Sequence, residues 1–267
     1  MGSGVRIRWD RVCMLLAAVT VLVIVVGHAI VRGVTADEPR TLGNEAPSVA
    51  APVARPCPPV VDGVLRTAPH EEGQRTVALT FDDGPGEWTD DILAVLSQQD
   101  VRATFFVVGR EAAAAPDQVR QMYAAGHAVE NHSWSHPSAG RRGRWDQQLI
   151  GNQIRRTSAE IGRLTGQPPC YFRPPQGVVP GAEGPARTAS LSMTLWSVDT
   201  RDWAIRGQTA ADKIRTRARA GLDEPNPIVL LHDGGGNRRA TLAALPGIID
   251  DYRRAGYAFV TLADGRV

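Results

Sequence analysis

Segments with the pattern of buried strands alternate with helical patterns over residues 76–262, and this alternation constrains the fold more than any other feature. The predicted strands are residues 77–81, 103–108, a segment starting at 128–129, 171–172, 193–198, 228–231 and 257–262. Strands that alternate with helices are typical of parallel sheets. Seven of them predict an α/β fold, a distorted (β/α) barrel of about seven parallel strands. An open doubly wound sheet is the alternative, and no Gly-x-Gly-x-x-Gly pattern supports it.

The N-terminal segment, residues 1–36, has the pattern of a membrane anchor. Three arginines within the first eleven residues precede a largely apolar run over residues 12–31. About 20 such residues span a bilayer, and flanking basic residues mark the cytoplasmic side. We therefore predict a single-pass transmembrane helix in the cell membrane, with the following domain outside the cytoplasm. A cleaved signal peptide is the alternative, because Val34-Thr35-Ala36 resembles a cleavage site, and it would give a secreted protein.

Residues 37–72 contain seven prolines and no sustained helical or strand period. This composition predicts an extended linker, followed by a folded domain over residues 73–267. Cys57 in the linker and Cys170 in the domain could pair in an oxidising compartment, but a disulfide requires a geometry that sequence does not provide. The net charge of +2 implies no nucleic-acid partner. We expect a monomer.

Ionisable residues follow five of the predicted strands, at the strand ends where barrel enzymes carry their active sites. These residues are Asp82, Asp83, His132, His136, Arg173, Asp199, Asp202, His232 and Asp233. The strand ends therefore predict one site built from several strands.

The spacing of His132 and His136 indicates a metal site. If the segment forms a helical turn, the two imidazoles lie on one side of it. Two histidines and one carboxylate are a common set of catalytic zinc ligands, although such a histidine pair alone is a weak signal. Asp83 at a neighbouring strand end supplies the carboxylate. The ligand set favours zinc and leaves Co, Ni and Mn open.

The adjacent aspartates predict a division of labour, in which Asp83 binds the metal and Asp82 takes a proton from the attacking water. Arg173 could keep Asp82 ionised and oriented. A structural aspartate pair in a turn is the alternative.

His232 is the candidate acid that protonates a leaving amine. Asp202 or Asp199 could hold its tautomer and raise its pKa. A core histidine satisfied by backbone groups is the alternative. Trp196 and Trp203 could line a sugar platform, and core packing is an equal alternative for each.

Five segments resemble the ordered motifs of polysaccharide deacetylases, that is, carbohydrate esterase family four with its nodulation-type deacetylase domain. They are Thr80-Phe81-Asp82-Asp83-Gly84-Pro85, His132-Ser133-Trp134-Ser135-His136-Pro137, Arg173-Pro174-Pro175-Gln176-Gly177, Asp199-Thr200-Arg201-Asp202-Trp203 and Leu230-Leu231-His232-Asp233. The resemblance covers residues 74–263.

This resemblance implies a distorted barrel and metal-dependent hydrolysis of the N-acetyl group of an amino sugar. The implied base is Asp82, which Arg173 orients. The implied metal ligands are Asp83, His132 and His136. The implied acid is His232, tuned by an aspartate of the fourth motif, Asp202.

The resemblance also implies the substrate contacts. Leu230 would line the pocket for the acetyl methyl, and the backbone N–H of Gln176 and the metal would stabilise the oxyanion. Pro174 and Trp203 complete the expected substrate-binding set. The family usually has an aromatic residue where Gln176 stands, so the sugar-contacting surface is expected to differ here.

The leading hypothesis is a membrane-tethered deacetylase of N-acetylglucosamine-type polymers. Peptidoglycan is the favoured substrate, with chitooligosaccharide or another exopolysaccharide as alternatives. Two other functions stay open: a catalytically silent carbohydrate-binding protein on the same scaffold, and an amidase for another acyl C–N substrate.

Overall fold

The computed structural model describes residues 56–140 and 142–264 of the 267-residue chain. The predicted membrane segment and most of the predicted linker lie outside the described residues and stay predictions. Within the described ranges, no helix is both long enough and apolar enough to cross a membrane.

Nine strands and seven α-helices are formed by the residues that the structure describes. The strands are β1 (Val64–Leu65), β2 (Thr76–Asp82), β3 (Thr104–Val107), β4 (Ala128–Asn131), β5 (Tyr171–Phe172), β6 (Ser192–Thr194), β7 (Val198–Asp199), β8 (Ile228–His232) and β9 (Ala258–Phe259). The helices are α1 (Thr89–Gln98), α2 (Gly109–Ala114), α3 (Pro116–Ala124), α4 (Gln147–Thr165), α5 (Glu183–Thr188), α6 (Ala210–Ala218) and α7 (Arg239–Arg254). Two 3₁₀ helices cover Pro175–Gly177 and Arg219–Asp223.

The strands form one parallel sheet in the order β1-β6-β5-β4-β3-β2-β8-β7, with β9 paired to β2. The predicted strand 193–198 is two strands, because β6 pairs with β1 and β5 whereas β7 pairs with β8 at the opposite edge. Three residues separate β6 from β7, so this segment connects the strand next to edge strand β1 with β7 at the opposite edge. The predicted distorted barrel is confirmed, with more strands than expected.

Both faces of the central strand β2 are buried, and its residues alternate between two environments. Val77, Leu79 and Phe81 belong to the large cluster that includes the surrounding helices. Ala78 instead packs with apolar side chains of other strands inside the barrel. Asp82, the last residue of β2, is in phase with Ala78 and therefore ends the interior face at the carboxyl end of the strand.

The end of the predicted linker is part of the folded domain. Val64 of β1 pairs in parallel with Met193 of β6. Cys57 forms a disulfide with Cys170, with their Cα atoms 5.2 Å apart, so the pairing left open by the sequence is confirmed. The linker predicted for residues 37–72 therefore overlaps the domain at its C-terminal end.

The ends of the helices follow the sequence signals in part. Pro116 begins α3, a position that proline favours, and Gly166 ends α4 in the left-handed conformation. Trp88 occupies the cap position of α1 without a side-chain hydrogen bond, although the neighbouring Thr89 is of a residue type that favours such positions. The Thr89 hydroxyl is instead used in the site described next.

Candidate active site

The register of the parallel strands brings the predicted polar residues to one end of the barrel. Asp82 at the end of β2 lies opposite His232 at the end of β8. Asn131 at the end of β4 lies opposite Phe172 of β5, so the residues that follow them, His132 and Arg173, leave the sheet at neighbouring points. The predicted site therefore forms at the carboxyl ends of these strands.

Three predicted metal ligands face one another. The Oδ1 atom of Asp83 lies 3.5 Å from Nε2 of His132 and 3.4 Å from Nε2 of His136. Nδ1 of His132 is 2.7 Å from the carbonyl oxygen of Arg173, to which it donates its proton. The Nε2 lone pair of His132 therefore faces Asp83. Burial lowers the pKa of His132, which keeps the ring neutral as a ligand must be.

The polar atoms at this point fit a divalent cation. Oδ1 of Asp83 is buried and has no hydrogen-bond partner. It lies beside Nε2 of His132 and Nε2 of His136, so the carboxylate oxygen and two potential ligand nitrogens face one another. Ligand atoms of a tetrahedral zinc site, each about 2.1 Å from the metal, lie about 3.4 Å apart. The observed 3.4 and 3.5 Å separations match that geometry.

The turn that carries the two histidines is not the helical turn that their spacing predicted. Ser133 and His136 both have left-handed backbone conformations, with φ values of 68° and 50°. The imidazole centroids are nevertheless 5.1 Å apart. The two rings therefore meet because of an irregular loop, and the helical expectation is wrong although the predicted juxtaposition is right.

Asp83 also has a left-handed backbone, with φ 73°, and two glycines make room for it. A Cβ atom on Gly234 would lie 2.1 Å from the carbonyl oxygen of Asp83, and one on Gly235 would lie 2.6 Å from its Oδ2. Residues without a side chain are therefore required where the loop after β8 approaches this ligand.

Asp82 makes the predicted ion pair with Arg173. Nη1 of Arg173 donates to Oδ1 of Asp82 at 2.7 Å and to the hydroxyl of Thr80 at 2.9 Å. Nη2 donates to the carbonyl oxygen of Leu195 at 3.0 Å. The guanidinium is fully buried, and its central carbon lies 4.0 Å from the ring centroid of Phe106. The Asp82 carboxylate is thus bound by a guanidinium whose position is fixed by two further hydrogen bonds and by the ring of Phe106.

His232 pairs with Asp202, which decides between the two aspartates considered from the sequence. Nδ1 of His232 donates to Oδ1 of Asp202 at 2.7 Å, and its backbone N–H donates to Oδ2 at 2.8 Å. Asp199 instead accepts the backbone N–H of Arg201. Burial alone would lower the pKa of His232, but the charge and hydrogen bond of Asp202 raise it above the ordinary value.

The predicted substrate-binding residues differ in their exposure to solvent. Leu230 and Pro174 are buried, whereas Gln176 is exposed and Trp203 has 46% of its surface exposed. Gln176 has a left-handed backbone, and its side-chain amide lies 3.3 Å from the hydroxyl of Ser138. An open cleft of about 660 Å³ is bordered by Asp83 and His136, two of the three predicted metal ligands. Its lining includes Asp83, Glu87, Arg110, Glu111, His136 and Asn237.

Sequence reasoning missed several residues that support the site. Thr241 in α7 donates its hydroxyl to Oδ2 of Asp202 at 2.8 Å. Thr89 in α1 donates to Asp233 at 2.6 Å, and burial raises the pKa of Asp233 to about 7. Arg238 donates to the carbonyl oxygen of Gly234 at 2.6 Å. The contacts of Thr241 and Thr89 join elements that are distant in sequence, whereas Arg238 binds within its own loop. No local sequence pattern marks these three supporting side chains.

The chain matches known proteins over most of the described domain. A family model described as polysaccharide deacetylase matches residues 70–187. A peptidoglycan-N-acetylglucosamine deacetylase of Bacillus cereus is 38% identical over 189 residues, which cover 70% of this chain and 66% of that protein. A chitooligosaccharide deacetylase of a Bradyrhizobium species is 36% identical over 199 residues, which cover 69% of this chain and 88% of that protein.

The fold also has close relatives among solved structures. A pseudoenzyme of carbohydrate esterase family four from Bacillus anthracis superposes with a TM-score of 0.65 and 27% identity, over 77% of this chain and 71% of that one. The site geometry and these similarities agree with the five motifs. The chain belongs to the polysaccharide deacetylases of carbohydrate esterase family four.

Proposed function

We propose that this protein hydrolyses the N-acetyl groups of N-acetylglucosamine-type glycan polymers and releases acetate, with peptidoglycan as the favoured substrate. The observation that carries the proposal is the combination of three features at one end of the barrel. A metal-ligand set lies beside a buried carboxylate–guanidinium pair and a carboxylate–imidazole pair. Together they provide a metal site, a base and an acid, which are the groups that amide hydrolysis needs.

Asp82 is the proposed base. Arg173 donates a charge-assisted hydrogen bond to its Oδ1 and orients the carboxylate. Its Oδ2 lies 3.7 Å from Nε2 of His132, on the side of the metal ligands. This oxygen is therefore the one proposed to take a proton from the water that attacks the acetamide carbon.

His232 is the proposed acid. Its Nδ1 is engaged by Asp202, so Nε2 is the atom available to donate a proton to the departing amine. The raised pKa keeps His232 protonated to a higher pH than an ordinary histidine. Asp202 therefore acts through His232 and is a positioning residue in this scheme.

Asp83, His132 and His136 would hold a divalent cation, for which zinc fits the ligand set, with Co, Ni or Mn as alternatives. When bound, such a cation supplies Lewis-acid polarisation of a carbonyl and lowers the pKa of water. The backbone N–H of Gln176 is proposed to donate to the oxyanion that forms at the acetamide oxygen. Leu230 is proposed to contact the acetyl methyl, and Pro174 and Trp203 the sugar.

The proposed location is the outer face of the cell membrane. The predicted N-terminal anchor would place the domain outside the cytoplasm, or a cleaved signal peptide would release it there. The disulfide between Cys57 and Cys170 supports an oxidising compartment. An exported domain would meet peptidoglycan, which is the substrate named for the Bacillus cereus relative.

A catalytically silent carbohydrate-binding protein is the second candidate, since a pseudoenzyme is among the structures with this fold. The proposal is tested by incubating the full-length protein and zinc with peptidoglycan and, separately, with chitooligosaccharides. Mass spectrometry and acetate release are the measurements. Metal-dependent acetate release supports the deacetylase, whereas glycan binding without release supports the silent binder. Release of a different acyl group or of ammonia would indicate another C–N hydrolase.

A further inference from the structure

The turn between the two histidine ligands, residues 132–136, adopts a backbone that its sequence does not favour. Ser133 and His136 have positive φ values, and neither is a glycine. Such conformations persist where the surrounding structure imposes them. The position of the His136 imidazole therefore depends on groups outside the turn.

A side chain from helix α4 binds the middle of this turn. Oε1 of Gln153 accepts the backbone N–H of Trp134 at 2.9 Å and that of Ser135 at 2.8 Å. The hydroxyl of Ser135 lies 3.3 Å from the same oxygen. Three donors of the turn thus converge on the side-chain oxygen of Gln153, which is a half-buried residue.

The opposite edge of the turn is bound by helix α2. The carbonyl oxygens of Ser133 and Trp134 accept the backbone N–H groups of Gly109 and Arg110, each at 2.9 Å. These N–H groups belong to the first turn of α2 and have no partner within that helix. The turn is thus fixed between its carbonyl contacts with α2 and its N–H contacts with Gln153.

The two ends of the turn have their own supports. Oδ1 of Asn131 accepts the backbone N–H of Ser133 at 2.8 Å, and the hydroxyl of Ser133 accepts that of His136 at 3.1 Å. These bonds fix the entry and the exit of the loop. The N–H groups between them, at Trp134 and Ser135, are the ones that Gln153 binds.

We propose that Gln153 is a positioning residue that preorganises the metal site by holding this turn before a metal binds. It touches neither the ligand atoms nor the substrate cleft, and it lies outside the five motifs. Its effect is to keep Nε2 of His136 at 3.4 Å from Oδ1 of Asp83. The proposal rests on the proposed function only in requiring that Asp83, His132 and His136 bind a metal.

The chemistry of the contact specifies which substitutions preserve it. An acceptor is needed, and a carboxylate of the same length accepts hydrogen bonds from N–H and O–H donors as an amide oxygen does. Gln153→Glu therefore keeps the contact. Gln153→Met keeps the approximate length of the side chain but removes the oxygen and leaves two backbone N–H groups without their acceptor.

The test is a zinc titration of the metal-free, full-length protein against a competing chelator. Gln153→Met is expected to weaken zinc binding by about 10- to 100-fold, as substitutions of residues that support ligands typically do. Gln153→Glu is expected to stay within about threefold of the parent. Gln148→Met, at an exposed position of the same helix, is the matched control and should leave the affinity unchanged.

Two results would overturn the proposal: parental zinc affinity in Gln153→Met, or an equal loss in Gln153→Glu. Circular dichroism of the metal-free variants checks that they fold. If Gln153→Met does not fold, Gln153→Asn replaces it, because that side chain keeps the acceptor but is too short to reach the turn. These titrations use no glycan, so they are independent of whether the parent protein releases acetate.

Discussion

The proposed metal-binding side and the proposed acid side of the site are built differently. Asp83 and His136 lie in loops with left-handed backbones, and Oδ1 of Asp83 lacks a hydrogen-bond partner. His232 instead ends the regular strand β8, and both oxygens of Asp202 are occupied by donors. The hydrogen bonds of the proposed acid side are therefore complete within the protein, whereas Oδ1 of Asp83 on the proposed metal side has no donor from the described residues.

The proposed base, Asp82, is built like the proposed acid side. Asp82 ends the regular strand β2, and Arg173 satisfies one of its oxygens. Both groups proposed to transfer protons thus have a partner of opposite charge from another strand or loop. This difference predicts that substitutions among the proposed metal ligands will change zinc affinity. Substitutions in the Asp82–Arg173 and His232–Asp202 pairs will instead change turnover or its pH dependence.

The largest effect is expected from Asp83→Ala. It removes the carboxylate from the ligand set and leaves the Asp82–Arg173 and His232–Asp202 pairs in place. We expect loss of zinc binding in titrations and acetate release no greater than that of the chelator-treated parent. Near-parental zinc affinity in this variant would show that Asp83 is not a ligand.

Asp82→Asn is expected to separate metal binding from turnover. The amide is similar in size to the carboxylate but cannot take a proton, so kcat should fall by about 10²- to 10⁴-fold. Zinc affinity should change little, because Asp82 is not in the ligand set. Unchanged acetate release would exclude Asp82 as the base. Loss of zinc binding in this variant would show that Asp82 contributes to the metal site.

Asp202→Asn tests how the acid is tuned. Asp202 raises the pKa of His232, and the amide carries no charge to do so. The pKa of His232 should fall, so the basic limb of the profile of kcat/KM against pH should move to lower pH. Asp199→Asn is the matched control, because Asp199 belongs to the same motif but binds the backbone of Arg201. A basic limb at the parental pH in Asp202→Asn would remove Asp202 from the mechanism.

The sequence was sufficient to predict which residues lie at the strand ends. It was insufficient to predict the strand pairing, the turn conformation and the contacts that support these residues. Hydrophobic runs located β2 and β8, and the parallel register then brought Asp82 opposite His232. The same reasoning joined β6 and β7, because an apolar run does not show which neighbouring strands its residues pair with. It also predicted a helical turn for the two histidines, because residue spacing alone does not reveal a left-handed backbone.

The supporting residues were missed for a related reason. Gln153 and Thr241 lie on helices with ordinary amphipathic patterns. Gln153 binds the turn that carries the two histidines, and Thr241 binds Asp202 in the segment after β7. Their polar side chains are compatible with an ordinary solvent-facing helix surface. Their role follows from the packing of the helix against the loop, which a single sequence does not specify.

Thr241→Val is expected to give the smallest effect and to refine the description of the acid side. Valine preserves the shape of threonine but removes the hydroxyl that binds Oδ2 of Asp202. The loss of one such hydrogen bond, worth about 1 kcal/mol, should lower kcat/KM by about fivefold, since 1.4 kcal/mol corresponds to a factor of ten.

The charge of Asp202 remains in Thr241→Val, and its contacts with Nδ1 and the backbone N–H of His232 remain as well. The basic limb of the pH profile should therefore stay at the parental pH, in contrast to Asp202→Asn. Thr241→Ser restores the hydroxyl and should recover most of the activity. A shift of the basic limb to lower pH in Thr241→Val would mean that the Thr241 hydroxyl controls the ionisation of the His232–Asp202 pair. The proposed acid side would then depend on helix α7, just as the metal side is proposed to depend on helix α4.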